Sequence, residues 1–183
     1  MKAVIFIILI ANLFAGTIKQ NNKVDVVLTN DEKVLYDLIM QYRKSKKLPK
    51  IPLSKSLTIV AQAHAIDLSK HKPDFDKGCN GHSWSSDGKW TSCCYTDDHA
   101  QAKCMWNKPR ELTNYKDNGY EIVNYATNAT PKIALDSWKK SSGHNQVIIN
   151  EGVWKKATWN AIGIGIKDGY ACVWFGKTLD AEK

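Results

Sequence analysis

Glycine and proline are scarce in this chain of 183 residues, which contains 11 glycines and 5 prolines. Such a composition excludes a collagen-like protein and a low-complexity linker. No segment repeats itself at a fixed period, so repeat solenoids and propellers are excluded as well. The hydrophobic fraction of 43% and the charged fraction of 24% are typical of a globular protein, and the length predicts a single domain.

Long apolar runs are also scarce, because the longest one covers residues 4–14 and is interrupted by Asn12. A bilayer-spanning helix needs roughly 20 apolar residues, so this run is too short to cross a membrane. It follows the basic Lys2 and precedes three small residues at 15–17, an arrangement typical of a secretory signal peptide. We therefore predict a signal peptide over residues 1–17 and a secreted, extracellular protein without a transmembrane segment after its removal. An uncleaved anchor is the alternative.

Acidic residues are fewer than basic ones, 18 against 26, which gives a formal net charge of +8. A dense cluster of basic residues attracts anionic glycans, nucleic acids or acidic lipid headgroups. In this chain, however, the densest cluster lies at the end of a predicted helix, where cations interact favourably with the helix dipole. We expect these basic residues to stabilise the end of the helix and not to bind nucleic acid, because no aromatic residues are interleaved among them. The densest basic cluster consists of Arg43, Lys44, Lys46, Lys47 and Lys50.

Two helices are predicted in the first part of the chain. Thr29 and Glu32 form a capping box, and apolar residues then recur at helical spacing to about Ser45. Ser54 can cap a second helix that continues to His71. His64 lies on the apolar face of this second helix, where a lone histidine is usually a satisfied core residue. We assign no chemistry to it.

The clearest strand pattern lies near the C-terminus. Side chains alternate over residues 159–166, and Asp168-Gly169 offers a hairpin turn into a second strand over residues 170–175. Gly163 and Gly165 fall on one face of the first strand, which indicates that a helix or another backbone lies close against it. Thr130 caps a further helix that ends at residues 141–143. Helices first and strands last predict an α+β fold.

Four of the five cysteines lie between residues 73 and 115, where periodicity disappears apart from a short helix predicted over residues 97–106. In a secreted chain we expect two disulfides among them, with Cys172 left as a buried free thiol. Adjacent cysteines rarely pair with each other, so Cys93 and Cys94 each pair with Cys79 or Cys104 in an order left open. The alternative is a structural zinc site formed by Cys79, His82, Cys93, Cys94, His99 and Cys104.

Four short stretches stand out along the chain: Gly81-His82-Ser83-Trp84, Gly119-Tyr120-Glu121, Trp138 with Ser141-Ser142-Gly143-His144, and residues 161–165. Taken together and in this order, they resemble the CAP superfamily, also called the SCP or pathogenesis-related-1-like domain, over about residues 29–177. Residues 178–183 are expected to form a frayed tail. The resemblance implies an α-β-α sandwich, in which helices on both faces cover a central antiparallel sheet beside a large cleft.

The resemblance also implies a site in the cleft, because His82, Glu121 and His144 match the two histidines and one glutamate of the family pattern. A second acid of the animal and plant members would fall at Ser141 and is absent, which places the chain closer to the bacterial branch. Two imidazoles and a carboxylate suit a divalent metal such as Zn²⁺. We predict these three as metal ligands, with Glu121 alternatively orienting an imidazole. A hydrogen-bond network without metal is the competing interpretation.

Two function classes follow from this resemblance. The first is a secreted, non-enzymatic protein that binds a lipid, sterol, glycan or protein, with aromatic side chains of the cysteine-rich region as contacts. The second is a metal-assisted hydrolase in which Glu121 acts as the general base. The sequence favours the first, because it contains neither a His-Glu-x-x-His helix nor a Gly-x-Ser-x-Gly elbow. The aromatic candidates are Trp84, Trp90, Tyr95 and Trp106.

Overall fold

The computed structural model describes residues 26–76 and 78–181. The predicted signal peptide therefore lies outside the described residues. Among these residues, no helix combines the length and the apolar character needed to cross a bilayer. The helices are α1 (Asn30–Ser45), α2 (Lys55–His71), α3 (Ala102–Trp106), α4 (Lys108–Leu112), α5 (Pro131–Lys140) and α6 (Ser142–Ile149), and the strands are β1 (Gly119–Tyr125), β2 (Ala161–Lys167) and β3 (Tyr170–Gly176).

The predicted caps determine where three of the helices begin. At the start of α1, the Thr29 hydroxyl accepts a hydrogen bond from the Glu32 N–H, and the Glu32 carboxylate accepts one from the Thr29 N–H. Ser54 and Thr130 likewise accept from backbone N–H groups in the first turns of α2 and α5. Each cap satisfies N–H groups that have no partner within the helix, so all three predicted helix starts are confirmed.

The three strands of the described sheet are antiparallel in the order β1-β3-β2, so β3 is central. Asp168 and Gly169 connect β2 to β3 with φ angles of 43° and 92°, the left-handed conformation that a tight hairpin needs at both positions. This confirms the predicted hairpin. The register places Glu121 of β1 and Gly163 of β2 on either side of Trp174 in β3.

Helices cover both faces of this sheet and form a core on each side. Helices α1, α5 and α6 pack on one face, where Ile162, Ile164 and Val173 are buried. Helix α2 packs on the other face together with the cysteine-rich segment. Added Cβ atoms at Gly163 and Gly165 would collide with the backbone of α2, so the predicted close neighbour of the glycine face is this helix. The fold is α+β, an α-β-α sandwich as predicted.

Several elements differ from the sequence prediction. The short helix expected over residues 97–106 is confined to α3, because His99 has a φ angle of 60° that interrupts it, and α4 was not predicted. Ser141 ends α5, as expected, but it also begins α6, because its extended backbone lets the chain turn into a second helix directly. Residues 142–143 were expected to end a helix, and they instead form the first turn of α6. Strand β1 was not predicted, because a buried acid, Glu121, interrupts its apolar pattern.

Arg43 lies in the last turn of α1, as expected for the basic cluster, but unlike the lysines of that cluster it is buried. Its side chain is only 1% exposed. The guanidinium donates to the carbonyl oxygens of Pro49 and Ile148 and to the side-chain oxygen of Asn150. Burial lowers its pKa to about 10. Arg43 therefore connects the end of α1 to the end of α6, while the four lysines of the cluster are exposed.

The residues that follow β3, up to Asp180, are hydrogen-bonded to the rest of the fold and do not form a frayed tail. The Asp180 carboxylate accepts hydrogen bonds from the Ser54 and Ser56 hydroxyls and from the Ser56 N–H. The Tyr115 hydroxyl donates to the carbonyl oxygen of Thr178 at 2.6 Å. An acid at the N-terminus of α2 is favourable because the helix dipole is positive there. The expectation of a frayed tail is therefore wrong for residues 178–180.

Candidate functional site

A cavity of about 500 Å³ opens between β1, α3, α6 and the turn Gly152–Trp154. Its polar wall contains all three residues singled out from the sequence, His82, Glu121 and His144, together with Tyr95 and His99. The remaining wall is largely apolar and includes Met105, Trp106, Tyr120, Ile122, Val147 and Trp154. The cavity therefore has an apolar body and a small set of convergent polar groups, as ligand sites commonly do.

Glu121 is the centre of the polar wall. Strand β1 places its side chain in the interior, where the carboxylate is fully buried. Its Oε1 lies 2.5 Å from Nδ1 of His64 and its Oε2 lies 2.9 Å from Nδ1 of His82. Each carboxylate oxygen is thus occupied by one imidazole.

The ionisation of Glu121 follows from these contacts. Burial raises the pKa of the carboxyl, but the His64 charge and the hydrogen bonds from His64 and His82 outweigh burial and hold the pKa below its usual value. Burial is the main cause of the raised pKa of the neighbouring Cys172 thiol, and the charge of the Glu121 carboxylate raises it further. The site therefore combines a carboxylate with a thiol that stays protonated.

His64 is a partner of Glu121 that the sequence did not reveal. It is a buried, satisfied core residue, as expected, but it also contacts Glu121 directly. Its ring stacks on Trp84 at 4.1 Å between centroids and 6° between planes, and its Nε2 donates to the carbonyl oxygen of Ser83. An apolar helix face gives no signal of such a partner, because Glu121 lies 57 residues away in the sequence.

His144 is oriented by a hydroxyl rather than by an acid. Its Nδ1 lies 2.9 Å from the hydroxyl oxygen of Ser141, the position at which the family pattern can carry a second acid. Burial, followed by the charge of His82, lowers the pKa of His144 against the opposing effect of Glu121. A lowered pKa keeps the imidazole neutral, which is the form that binds a metal.

The hydrogen bonds determine which ring atoms are left for a ligand. Nδ1 of His82 is bonded to Glu121 and Nδ1 of His144 is bonded to Ser141, so Nε2 of each ring is the atom able to meet a ligand. A carboxylate behind a histidine is the usual outer partner of a metal-binding imidazole. Within the described part of the chain, however, the predicted ligand set of His82, Glu121 and His144 does not form a group whose ligand atoms all lie within 4.8 Å of one another.

Among the described residues, a tighter group is formed by His64, Glu121 and Cys172, whose ligand atoms all lie within 4.8 Å of one another. This group suits a metal poorly. All three residues are buried, both ring nitrogens of His64 already have oxygen partners, and the raised pKa of Cys172 disfavours the thiolate that a metal needs. Its contacts are those of a hydrogen-bonded cluster.

Two disulfides hold the segment that carries His82 and Tyr95. They join Cys79 to Cys94 and Cys93 to Cys104, and Cys172 is a buried free thiol. The prediction of two bridges with Cys172 left over is confirmed. The structural zinc alternative is wrong, because its four cysteines are paired with one another.

The aromatic candidates of this segment have different environments. Trp84 is 1% exposed beneath His64, so it is a core residue rather than a ligand contact. Trp90 is half-buried away from the cavity, and Trp106 is half-buried in the cavity wall. Tyr95 also lines the cavity, and its hydroxyl lies 2.9 Å from Nδ1 of His99.

Three solved bacterial structures have the same fold. An outer surface protein of Borrelia burgdorferi is 19% identical with a TM-score of 0.54, and the match covers 83% of this chain and 96% of that one. An extracellular protein of Bacillus anthracis that contains an SCP domain is 17% identical with a TM-score of 0.56, covering 84% of this chain and 45% of that one. A cysteine-rich secretory protein of Staphylococcus aureus is 17% identical with a TM-score of 0.52, covering 81% and 39%.

The chain thus spans nearly the whole Borrelia protein but less than half of the other two. A comparison with curated proteins finds no match. The model of one family, CAP, the cysteine-rich secretory protein family, matches residues 36–171. This range runs from within α1 to the first residues of β3, and it contains both disulfides and the cavity residues His82, Glu121 and His144. The chain therefore belongs to the CAP family of cysteine-rich secretory proteins.

Proposed function

We propose that the protein is a secreted, non-enzymatic CAP-domain protein that holds a ligand in the cavity above Glu121. The observation that carries this proposal is the combination of an apolar aromatic wall with two imidazoles whose Nε2 atoms are left for a ligand. Secretion is supported by the apolar run at residues 4–14, by the two disulfides, and by the extracellular and outer-surface relatives.

The wall composition favours an apolar ligand with one polar group. Trp106, Tyr120 and Trp154 supply large flat surfaces, and polar side chains such as His82 and His144 are the minority of the lining. A lipid or a sterol matches this distribution better than a glycan, which needs hydrogen-bonding groups along its whole length. A protein ligand would have to insert one apolar side chain into the cavity. Val153, which lines the cavity and is 87% exposed, could then contact the surface of that protein.

We also propose that the polar wall of the cavity binds a divalent metal such as Zn²⁺. His82 and His144 would be the ligands through Nε2, and Glu121 would act behind His82 as its orienting partner rather than as a third ligand. Both oxygens of Glu121 are already occupied by imidazoles, which favours the orienting role. Bound there, the metal would supply a positive charge for the polar group of the ligand.

The hydrolase alternative receives less support from the same geometry. A general base must reach the proton that it removes, at about 2.6–3.2 Å from the donor atom. The Glu121 carboxylate is fully buried and each oxygen is held by an imidazole. It is therefore poorly placed to take a proton from a water in the cavity.

Calorimetric titration with Zn²⁺ tests the metal site. We expect binding by the wild type and a loss of at least about 10-fold in affinity in His82→Ala and in His144→Ala, since each variant removes a direct ligand. His71→Ala is the matched control, because His71 is exposed beside Asp87 outside the cavity. Equal affinity in the wild type and both cavity variants would reject the metal site.

Equilibrium binding of a fluorescent sterol and, separately, of a fluorescent fatty acid tests the ligand cavity. We expect saturable binding of at least one probe and a clear loss in Trp106→Ala, which removes part of the wall. Trp90→Ala is the control, since Trp90 belongs to the same disulfide-linked segment but not to the cavity wall. Equal loss in both variants, or no binding of either probe, would contradict the lipid or sterol proposal.

A further inference from the structure

The imidazole of His64 connects three separate parts of the chain. It extends from α2, its Nδ1 lies 2.5 Å from Oε1 of Glu121 in β1, and its Nε2 lies 2.8 Å from the carbonyl oxygen of Ser83. Ser83 directly follows His82, whose Nδ1 is bonded to the other oxygen of Glu121. These hydrogen bonds form a closed path that runs from His82 through Glu121 and His64 to the backbone of Ser83, the residue next to His82.

The ring plane of His64 is fixed from its face as well as from its edges. Trp84 lies parallel to it, with 4.1 Å between the centroids and 6° between the planes. Trp174 meets it edge-on at 6.4 Å. Because His64 and Glu121 have no exposed side-chain surface, water has no access to replace either hydrogen bond. The imidazole therefore has one orientation in the folded protein.

The direction of each hydrogen bond follows from the atoms. A carbonyl oxygen only accepts, so Nε2 of His64 donates to Ser83. Nδ1 of His64 and Oε1 of Glu121 share one proton, since two lone pairs would otherwise face each other at this separation. Oε1 is thereby held in place, and the planar carboxylate directs Oε2 at Nδ1 of His82.

We propose that His64 is a positioning residue for the cavity site: by holding Oε1 of Glu121 it fixes His82 with the proton on Nδ1 and with Nε2 presented to the ligand. This inference rests on the proposed metal site of His82 and His144, and it adds a residue that no family motif identified in the sequence. Outer hydrogen-bond partners of metal-binding histidines typically change metal affinity by about 10- to 100-fold when they are removed.

His64→Phe is the informative variant, because it keeps a flat ring against Trp84 and removes both hydrogen bonds. We expect its Zn²⁺ affinity, measured by calorimetry, to fall about 10- to 100-fold relative to the wild type. Leu68→Ala is the matched control, since Leu68 lies one turn further along α2, is fully buried and belongs to the same core. We expect this control to lose stability and to keep its Zn²⁺ affinity within about twofold.

A metal-free measurement separates this inference from the proposed metal site. Long-range ¹H–¹⁵N NMR spectra report which nitrogen of His82 carries the proton. In the wild type without metal we expect Nδ1 to carry it, in His64→Phe we expect a mixture of the two tautomers, and in Leu68→Ala we expect the wild-type pattern. If the wild type binds no Zn²⁺ but shows these tautomers, the metal proposal fails and the role of His64 stands.

Three results would overturn the role of His64. The first is an unchanged His82 tautomer together with unchanged Zn²⁺ affinity in His64→Phe. The second is an equal loss of Zn²⁺ affinity in Leu68→Ala, which would mean that the effect of His64→Phe comes from general destabilisation. The third needs no variant and so holds even if His64→Phe fails to fold: a proton on Nε2 rather than on Nδ1 of His82 in the metal-free wild type.

Discussion

Gly163 of β2 lies so close to Leu57 of α2 that a Cβ atom at position 163 would stand less than 3.0 Å from the Leu57 backbone. Gly165 has the same relationship with Ala61, one turn further along the helix. Helix α2 therefore rests directly on the backbone of the sheet. This close approach brings His64, on the same helix, within reach of Glu121 across the sheet face.

Gly163→Ala should be strongly destabilising, because the added methyl group meets the backbone of α2 and cannot be accommodated by a side-chain rotation. We expect a loss of about 2 kcal/mol or more in the free energy of unfolding, measured with urea and tryptophan fluorescence. Gly143→Ala is the control, since Gly143 is exposed in α6 and its added Cβ would have no neighbour within 4 Å. There we expect no loss, or a gain of up to about 1 kcal/mol from helix propensity. Equal effects in the two variants would contradict the contact between α2 and β2.

Local sequence signals predicted those elements whose structure is decided locally. Thr29, Ser54 and Thr130 are caps that satisfy backbone groups of their own helices, and Asp168-Gly169 is a turn whose residues accept left-handed conformations. Helix α6 was missed for a physical reason. Its buried residues Val147, Ile148 and Ile149 are consecutive, and such a run shows no helical period.

The candidate site was predicted only in part, for a related reason. His82, Glu121 and His144 belong to motifs that can be recognised one at a time, and all three line one cavity. His64 has no motif, because its role depends on a carboxylate from a distant strand. The same dependence concealed β1, since Glu121 is tolerated in the interior only where imidazoles from two other segments bind it.

Thiol titration should distinguish the five cysteines. In the native protein we expect no reaction of Cys172 with an aromatic disulfide reagent, because the thiol is fully buried and burial raises its pKa. In denaturant without reductant we expect one reactive thiol per chain, and after reduction all five. Peptide mapping should recover the pairs Cys79–Cys94 and Cys93–Cys104. Three or more reactive thiols in the unreduced, denatured protein would contradict this pairing.

Asp180→Asn tests whether the chain end stabilises α2. The variant keeps the size of the side chain but removes the charge that faces the helix N-terminus and weakens the acceptors for Ser54 and Ser56. We expect a loss of about 1 kcal/mol in the free energy of unfolding. Asp136→Asn is the control, because Asp136 forms an exposed pair with Lys132 on α5 and should change stability by less than about 0.5 kcal/mol. Indistinguishable stability of Asp180→Asn and wild type would restore the expectation of a frayed tail.

Acid should destabilise the protein partly through His144. Its pKa in the folded state lies below its ordinary value of 6.5, first because of burial and then because of His82. Between the folded and unfolded pKa values the unfolded chain binds more protons, so stability falls as the pH falls. The contribution is complete above about pH 6.5 and is lost on acidification through the folded pKa.

His144→Gln removes this titration and isolates its effect. We expect the wild type to lose more unfolding free energy than the variant between about pH 7.5 and about pH 5, measured by urea denaturation. EDTA is kept in all samples so that release of a bound metal makes no contribution. Glu121 is present in both proteins, and the acid sensitivity that its lowered pKa causes should largely cancel in the difference. The result to be compared is the difference in unfolding free energy between the wild type and His144→Gln. If that difference is constant with pH, or grows in favour of the wild type on acidification, the pKa of His144 is not lower in the folded chain than in the unfolded one.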